Sequence, residues 1–344
     1  MAYTSTSSLP DLSQKAYDRL AYFALRPELY FDQVADVMPT AQSMPGSQVQ
    51  FTIVNDLAIA SASIAETTDI SPVAMSDSVV LVTLGEYGNA VATTAKLRGT
   101  SFVEIDPVVA NVVGYNAGVS LDSIARNTLR DYILNNQGNG TGGTYWVNAG
   151  AGTLSATNTT TTSNGVATTT TTWTGTAANV TGQDFAKRRA FLRSNNVASF
   201  GGFYAAYVHP DVVYDIQQDT GVSGWRQPHL YSQPGEIWSG ELGAFEGFRF
   251  IETPRAPVWN NAVSTTDVYM SICVGRQSLA KTHSITDGNG AYPHIIPGPI
   301  TDTLRRFVPL GWYWLGGYGG FRAVASNAVI SGSSINYTDP AING

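Results

Sequence analysis

A chain of 344 residues with 43% hydrophobic residues can bury one large core or two medium ones, yet only 13% of it is charged, about half the fraction typical of soluble domains. The formal net charge of −7 argues against a surface that follows nucleic-acid phosphates, and the single cysteine excludes an internal disulfide framework or a cysteine zinc cluster. A surface so poor in charge indicates that much of it is covered, for instance by copies of the same chain.

The N-terminal region is predicted to be a polar arm followed by short helices. Its first dozen residues have no cationic start followed by an apolar run, so they do not resemble a signal peptide. Pro27 suits the first position of a second short helix. The helix before it is predicted from apolar side chains that share one face: Ala16, Leu20, Phe23 and Ala24.

Two strand patterns follow, QVQFTIV at 48–54 and SVVLVTLGEY at 78–87. An irregular, acidic segment between Asn55 and Asp77 separates them. These patterns predict a long two-stranded hairpin with a wide tip. Because two strands alone are marginally stable, the hairpin must lie against its own body or a neighbouring chain.

The strongest helical pattern runs from about residue 107 to 135. Asp106 is a suitable N-cap, and Pro107 suits the first helical position. A helix of this length spans roughly 43 Å. Its apolar side chains recur at spacings of three and four: Leu121, Ile124, Ala125, Leu129, Tyr132 and Ile133.

Residues 138–182 are rich in Thr and Gly and contain no charged residue. Runs of β-branched Thr, together with Tyr145, Trp146 and Trp173, predict a small strand-rich flap. Regular structure resumes at once, since Thr181 and Asp184 have the spacing of a capping box before a short helix. We therefore expect residues 138–182 to be an insertion into one multi-part fold.

The rest of the chain alternates between strand and helix patterns. GGFYAAYV reads as a strand, and Pro210 opens a helix whose inward residues are Val212, Val213 and Ile216. An alternating strand, VYMSICVGR, holds Cys273 as a buried small hydrophobe. The C-terminal region is an aromatic strand, punctuated by glycine, that places Trp312, Trp314 and Tyr318 on one face. A mixed sheet flanked by helices is predicted.

Patterns that could carry catalysis or cofactor binding have simpler explanations. Gly138, Gly140 and Gly143 fit a dinucleotide fingerprint in spacing, but a helix precedes them and Thr-rich chain follows, the reverse of the required context. No serine lies in a nucleophile elbow. Four histidines lack the helical pair spacing of a metalloprotease: His209, His229, His283 and His294.

Charged clusters are likewise explained as surface features. Glu66, Asp69 and Glu86 could form an acid–base pair or bind calcium, but exposed charges on the hairpin are the simpler interpretation. A short helix carries Lys187, Arg188, Arg189 and Arg193, which fit a solvated or salt-bridged face better than a nucleic-acid contact. We assign no catalytic, cofactor-binding or metal-binding residue, and no enzyme activity.

Several segments together resemble a known family. The segments are AYDRLAYFALRPELYFDQVADV (16–37), TLGEYGNAVATT (83–94), LDSIARNTL (121–129), YVHPDVVYDI (207–216), FRFIETP (248–254) and LRRFVPLGWYWLGGYGGFR (304–322). They resemble the major capsid proteins of tailed bacteriophages, which have the α+β fold of the Hong Kong 97 type. The insertion is the part that matches nothing in this resemblance.

The resemblance implies a division of the chain. It makes 1–47 an N-terminal arm, 48–100 an extended loop over an adjacent subunit, and 101–137 a peripheral domain with the spine helix. It makes 138–300 an axial domain that includes the insertion at 138–182, and 301–344 a C-terminal strand that returns to the core. Under this resemblance the insertion is peripheral, exposed on the shell or near a capsomer axis, and deletion of 141–178 is expected to leave assembly intact.

The implied function is structural. Pentamers and hexamers of the chain would self-assemble, in the cytoplasm of the bacterial host, into an icosahedral head shell enclosing double-stranded DNA without sequence-specific binding. The partners implied are other copies and, as candidates, decoration, scaffold and portal proteins; no membrane and no cofactor are involved. The Lys–Asn bond that welds some relatives is not carried over, because the chain has only four lysines.

The alternative is a secreted or surface-exposed β-rich binding protein. Thr richness, Trp and Tyr content and low charge favour it. The missing signal peptide and the long capped helix count against it.

Overall fold

The computed structural model describes residues 30–40, 48–54, 57, 63, 67, 72–100, 105–137, 143–163, 166–220, 244–263, 266–284, 291–299, 302–304 and 306–335. The helix predicted over residues 16–24 lies outside this part of the chain.

The helices are α1 (Ala95–Thr100), α2 (Ile105–Gln137), α3 (Gly182–Ser194) and α4 (Pro210–Gln218), with 3-10 turns at Phe31–Val34 and Ala323–Ala325. The strands are β1 (Ala35–Thr40), β2 (Gln48–Val54), β3 (Asp77–Thr83), β4 (Gly85–Thr94), β5 (Trp146–Asn148), β6 (Ser155–Ser163), β7 (Val166–Thr174), β8 (Tyr204–Val208), β9 (Ala244–Phe245), β10 (Phe248–Glu252), β11 (Val258–Trp259), β12 (Val268–Val274), β13 (Leu279–Ser284), β14 (His294–Pro297), β15 (Phe307–Gly320) and β16 (Ser326–Ser331).

The predicted long helix is confirmed as α2, which spans 33 residues. It begins at Ile105, so the prediction of Asp106 as its N-cap is wrong. Asp106 lies in the first turn, where a carboxylate interacts well with the helix dipole, and it pairs with Arg98 of α1 at 2.8 Å. Four of the predicted apolar residues are buried: Leu121, Ala125, Leu129 and Ile133.

A seven-stranded mixed sheet forms the centre of the molecule, in the order β5-β16-β12-β8-β10-β9 with β11 on β12. Apolar side chains of α3 and α4 pack on one face, and the C-terminal half of α2 packs on the other. All residues of β12 are therefore buried, and the expected alternation between buried and exposed residues is wrong for this strand. A strand covered by helices on both sides has no solvent face.

A second sheet has the order β1-β13-β15-β14, with β4 also paired to β15. The N-terminal half of α2 packs on it through Ala110, Val113 and Ala117. Trp312 and Trp314 of β15 are buried against this helix and Tyr318 packs beside them, which confirms the predicted single aromatic face.

The predicted first hairpin is confirmed as the antiparallel pair β2–β3. Its second strand is shorter than predicted, because the pattern at 78–87 divides at Leu84. Beyond that residue the chain leaves the hairpin, and β4 pairs with β15 along ten residues. The reason is aromatic packing: Tyr87 of β4 stacks on Trp314 at a centroid distance of 5.7 Å.

Part of the predicted arm belongs to the folded body. The short helix expected after Pro27 is, where the structure describes it, a 3-10 turn followed by β1, which runs parallel to β13. Phe31 and Val34 of the turn are buried in the core.

The Thr and Gly segment forms strands, as predicted, but the expectation of a peripheral insertion is wrong for its base. Strand β5 joins the central sheet beside β16, and β6 and β7 form a hairpin. Trp146 and Trp173 are fully buried, with ring centroids 5.2 Å apart. Large aromatic side chains bury more apolar area than the surrounding threonines, so they hold the base in the core.

Candidate assembly interface

Two buried carboxylates fix the chain at the start of the described N-terminal segment. Asp122 of α2 accepts the N–H groups of Tyr30 at 2.8 Å and Phe31 at 3.0 Å, and its other oxygen accepts from Arg255 at 3.3 Å. Burial raises the pKa of Asp122, and these hydrogen bonds oppose the rise. The helix therefore holds the N-terminal segment through its backbone.

The second carboxylate, Asp32, lies between two sheet strands. It accepts from Lys281 Nζ and from the Tyr318 hydroxyl, both at 2.7 Å. The Lys281 ammonium lies 4.8 Å from the ring centroid of Tyr292 and is 1% exposed, and burial lowers its pKa. The buried carboxylate therefore links the turn before β1 to β13 and β15, and the Lys281 ammonium does not face solvent.

The second sheet carries an open trough of about 480 Å³ along β4, β14 and β15, and every residue that lines it is uncharged. Its lining residues are Gly88, Asn89, Ala90, Ile296, Gly298, Pro309, Gly311, Trp312 and Tyr313. A flat apolar trough without charges suits packing against another protein surface.

The hairpin β2–β3 exposes apolar side chains on the face that does not touch the body. Its inner face buries Phe51 and Val82 against Ala280. Its outer face carries Val54, Val79 and Leu81, which are 59%, 46% and 56% exposed. The register aligns Val79 with Thr52 and Leu81 with Gln50. It also places the exposed Asp77 beside Val54, so the outer face mixes apolar groups, neutral polar groups and one carboxylate.

A third exposed apolar stripe lies on α2. Val108, Val112 and Tyr115 are spaced at i, i+4 and i+7 on the face opposite the sheet, and each is about half exposed. Together with the trough and the outer face of the hairpin, this stripe leaves three largely apolar surfaces open on the described chain. Exposed apolar patches of this kind are typical of protein–protein contact sites.

A family model described as phage capsid protein matches residues 6–339. The chain belongs to the phage capsid protein family. Its function is structural, as a building block of the phage head shell. No curated protein sequence matches it.

Solved capsid structures share the fold of this capsid chain at low sequence identity. The capsid of Ralstonia phage GP4 aligns with a TM-score of 0.62 and 11% identity, covering 92% of this chain and 94% of that one. The capsid of cyanophage P-SCSP1u gives 0.58 and 14%, covering 89% of each chain. The capsid of a native GTA particle gives 0.56 and 11%, covering 91% and 90%.

The candidate histidines of the capsid chain do not converge on one site. His209 caps α4, and its Nδ1 accepts the N–H of Asp211 at 3.2 Å. His283 is buried on β13, His294 meets the Tyr313 ring edge-on, and His229 lies outside the described residues. Within the described ranges, no group of His, Cys, Asp or Glu could hold a metal ion.

The acidic and basic candidate residues that the structure describes are exposed surface charges or members of salt bridges and hydrogen bonds. Glu86 is exposed on β4 rather than on the hairpin, while Glu66 and Asp69 lie outside the described residues. Lys187 pairs with Asp184 at 3.1 Å, and Arg189 pairs with Glu246 at 3.1 Å, which confirms salt bridges.

The expectation of one basic face on α3 is wrong, because Arg188 is buried and donates to the Thr144 carbonyl oxygen at 2.9 Å. Cys273 is buried as predicted, and burial raises the pKa of its thiol to about 12. Gly143, from the rejected fingerprint, donates its N–H to the Trp146 carbonyl oxygen at 2.8 Å, while Gly138 and Gly140 lie outside the described residues.

The buried Asp32–Lys281 pair escaped sequence reasoning. Its only signal was a lysine within an otherwise neutral strand, LAKTHS.

Among the helices that the structure describes, none has the length and apolarity to cross a membrane.

Proposed function

We propose that this capsid chain assembles, as pentamers and hexamers, into an icosahedral shell that confines double-stranded DNA, and that it has no catalytic role. The three largely apolar surfaces carry the proposal, because identical copies can bury such surfaces against each other with little charge repulsion. Assembly takes place in the cytoplasm of the bacterial host. The net charge of −7 suits confinement of the genome rather than tight binding to it.

The Hong Kong 97 scheme provides the domain division within this proposal. Residues 1–47 act as the arm, 48–100 as the extended loop, 101–137 with the C-terminal strand as the peripheral domain, and 138–300 as the axial domain. The outer face of β2–β3 would then pack on an adjacent subunit. Many modest contacts of this kind, repeated around closed rings, stabilise the shell through avidity. Decoration, scaffold and portal proteins are further partners in this scheme.

The test replaces Val79 and Leu81 by serine in one double variant. Each replacement removes apolar area worth roughly 1.5–3 kcal/mol when buried at an interface, while the isolated subunit leaves these side chains in water. We expect folded, soluble subunits whose yield of closed shells falls sharply, measured by size-exclusion chromatography with light scattering and by electron microscopy.

The matched control replaces Gln50 and Thr52 by serine on the same exposed face. It should assemble like the natural chain. Truncation of residues 55–77 should also leave soluble subunits that cannot close a shell. Normal shells from both the double serine variant and the truncation would contradict an intersubunit role for the hairpin.

A further inference from the structure

The two ends of the central sheet differ in charge. Strand β8 runs parallel to β10 and antiparallel to β12. The starts of β8 and β10 therefore lie at the same end of the sheet as the end of β12. Arg193, Arg276 and Arg322 surround this end, which we call the arginine end. The last residue of β10, Glu252, lies at the opposite end, which we call the Glu252 end.

The three arginines are brought together by the loop that follows α3. Arg193 belongs to the last turn of this helix, and Arg322 Nη2 donates to the carbonyl oxygen of the C-cap residue Asn195 at 3.1 Å. The Arg276 backbone N–H donates to the Ala198 carbonyl oxygen at 2.9 Å, three residues further along the same loop. The side chains of Arg193 and Arg276 are exposed, and that of Arg322 is half-buried.

The positive charge at the arginine end is not neutralised by the part of the chain that the structure describes. None of its three arginines forms an ion pair there. The Arg276 guanidinium lies over the Phe200 ring, 6.0 Å from its centroid. Asp36 is close enough to be influenced: burial raises its pKa, while the Gln277 N–H and the Arg276 charge lower it. Three positive charges thus remain beside one half-buried carboxylate.

The Glu252 end carries negative charge. Glu252 is exposed and has no ion pair with another described residue. Arg255, three residues further along the chain, pairs with the buried Asp122 at 3.3 Å. Tyr269 lies at the same end, near the start of β12, and its pKa is raised by burial and by nearby carboxylates. These carboxylates are Asp211, Asp267 and Asp215.

Each end also exposes an aromatic side chain. Phe203, just before β8 at the arginine end, is 45% exposed. Tyr214 belongs to α4, the helix that follows β8 at the Glu252 end, and it is 43% exposed. Aromatic residues are enriched in protein interfaces, where a polar rim surrounds them. Both ends therefore combine an apolar side chain with charge that the described chain does not pair.

We propose that the arginine end of one subunit docks on the Glu252 end of the next copy around each ring of subunits. Opposite ends of one sheet cannot meet within a subunit, but they can meet head to tail between copies, and such contacts close into rings. Opposite charges favour this orientation and disfavour contact between two like ends. The contact rests on the shell function proposed above and is separate from that of hairpin β2–β3.

The first test reverses the charge at each end in separate variants. One variant carries Arg193→Glu and Arg276→Glu, and it keeps Arg322 because that guanidinium caps α3. The other carries Glu252→Arg. Each places like charges against each other between copies, so the yield of closed shells should fall at least about fivefold. Soluble subunits should unfold at the natural temperature, because every changed side chain is exposed.

The second test combines the changes. All three substitutions in one chain pair opposite charges again at every contact, so shell yield should recover. Co-expression of the two separate variants should also raise the yield, because in mixed rings each end meets an end of opposite charge. A folding defect in either variant would not be rescued in this way. Shell yields that stay at the level of the separate variants in both experiments would overturn the contact.

The matched control is Lys96→Glu on α1, an exposed cation outside the central sheet. It changes the net charge as much as the single substitution Arg276→Glu does, but it should assemble like the natural chain. An equal loss of shells in these two single variants would show an effect of net charge alone and would overturn the proposal. Absence of shells from the natural chain would instead refute the proposed function, so the two failures are distinguishable.

Discussion

The two hairpins of this capsid protein have the same two-stranded form but differ in how they attach to the body. Hairpin β2–β3 rests on the second sheet through Phe51 and Val82, and its outer face exposes large apolar side chains among polar ones. Hairpin β6–β7 is anchored by Trp173, and its outer face at the base consists of hydroxyl groups. The buried anchor of each hairpin therefore determines whether losing it destabilises the whole subunit or only the hairpin. The outer face determines which surfaces the hairpin can contact.

The largest effect is expected from Trp173→Ala. Its side chain is fully buried between Trp146 and Trp259, so its loss should cost about 3–5 kcal/mol and weaken the whole subunit. Thermal or denaturant unfolding of soluble subunits measures this cost. The neighbouring exposed Thr172→Ala is the control and should change stability by less than about 0.5 kcal/mol. For the same reason we now expect deletion of 141–178 to prevent folding, contrary to the sequence-based expectation.

Phe51→Ala should produce a local failure instead. The ring is buried against Phe321, at a centroid distance of 5.6 Å, but the contact belongs to a small cluster at the hairpin base. We expect β2–β3 to detach while the body melts near its usual temperature. Limited proteolysis should then cut within 55–76 far faster than in Thr52→Ala. A global loss of stability equal to that of Trp173→Ala would remove the distinction between the hairpins.

A smaller effect is expected where β3 crosses β15. A Cβ added at Gly317 would overlap the Thr83 carbonyl oxygen, so Gly317→Ala should push β3 away at a cost of about 1–3 kcal/mol. Gly99→Ala in α1 is the control, because a Cβ there meets nothing within 4 Å. Alanine should be neutral or slightly stabilising at that helical position. Equal unfolding curves for the two variants would contradict the close crossing.

The smallest effect is a dependence on pH in the central sheet that anchors β6–β7. Burial lowers the pKa of His209, so the unfolded chain binds a proton more readily than the folded one. Stability from this group is present above its unfolded pKa of about 6.5 and falls as pH drops toward the lower folded pKa. His209→Asn keeps an N-cap side chain but should flatten this acid slope in denaturation measured from pH 7 to 5.

The pKa of His283, on β13 beneath the first hairpin, is also lowered, by burial and by Lys281. His209→Asn should therefore remove only part of the slope, and a combined variant with His283→Gln should remove more. An unchanged slope in the combined variant would show that other groups cause the acid dependence.

Much of the fold followed from local patterns. The periodicity of α2, the Pro210 helix, the capping box at Thr181 and Asp184 and the aromatic face of β15 all agree with the structure. The division of the second strand at Leu84 did not follow, because it depends on Tyr87 stacking on a tryptophan far away in the chain. The buried Asp32–Lys281 pair depends equally on contacts between distant segments.

The sequence by itself determined the elements, the low surface charge, the absence of a recognisable catalytic motif and the resemblance to phage capsid proteins. These depend on neighbouring residues and composition, which a single chain displays directly. Only the tertiary structure decided that the base of the Thr and Gly segment is fixed in the core, that β4 leaves the hairpin, and which apolar faces remain open. Those outcomes depend on which distant segments exclude water from each other, and local propensity does not encode that choice.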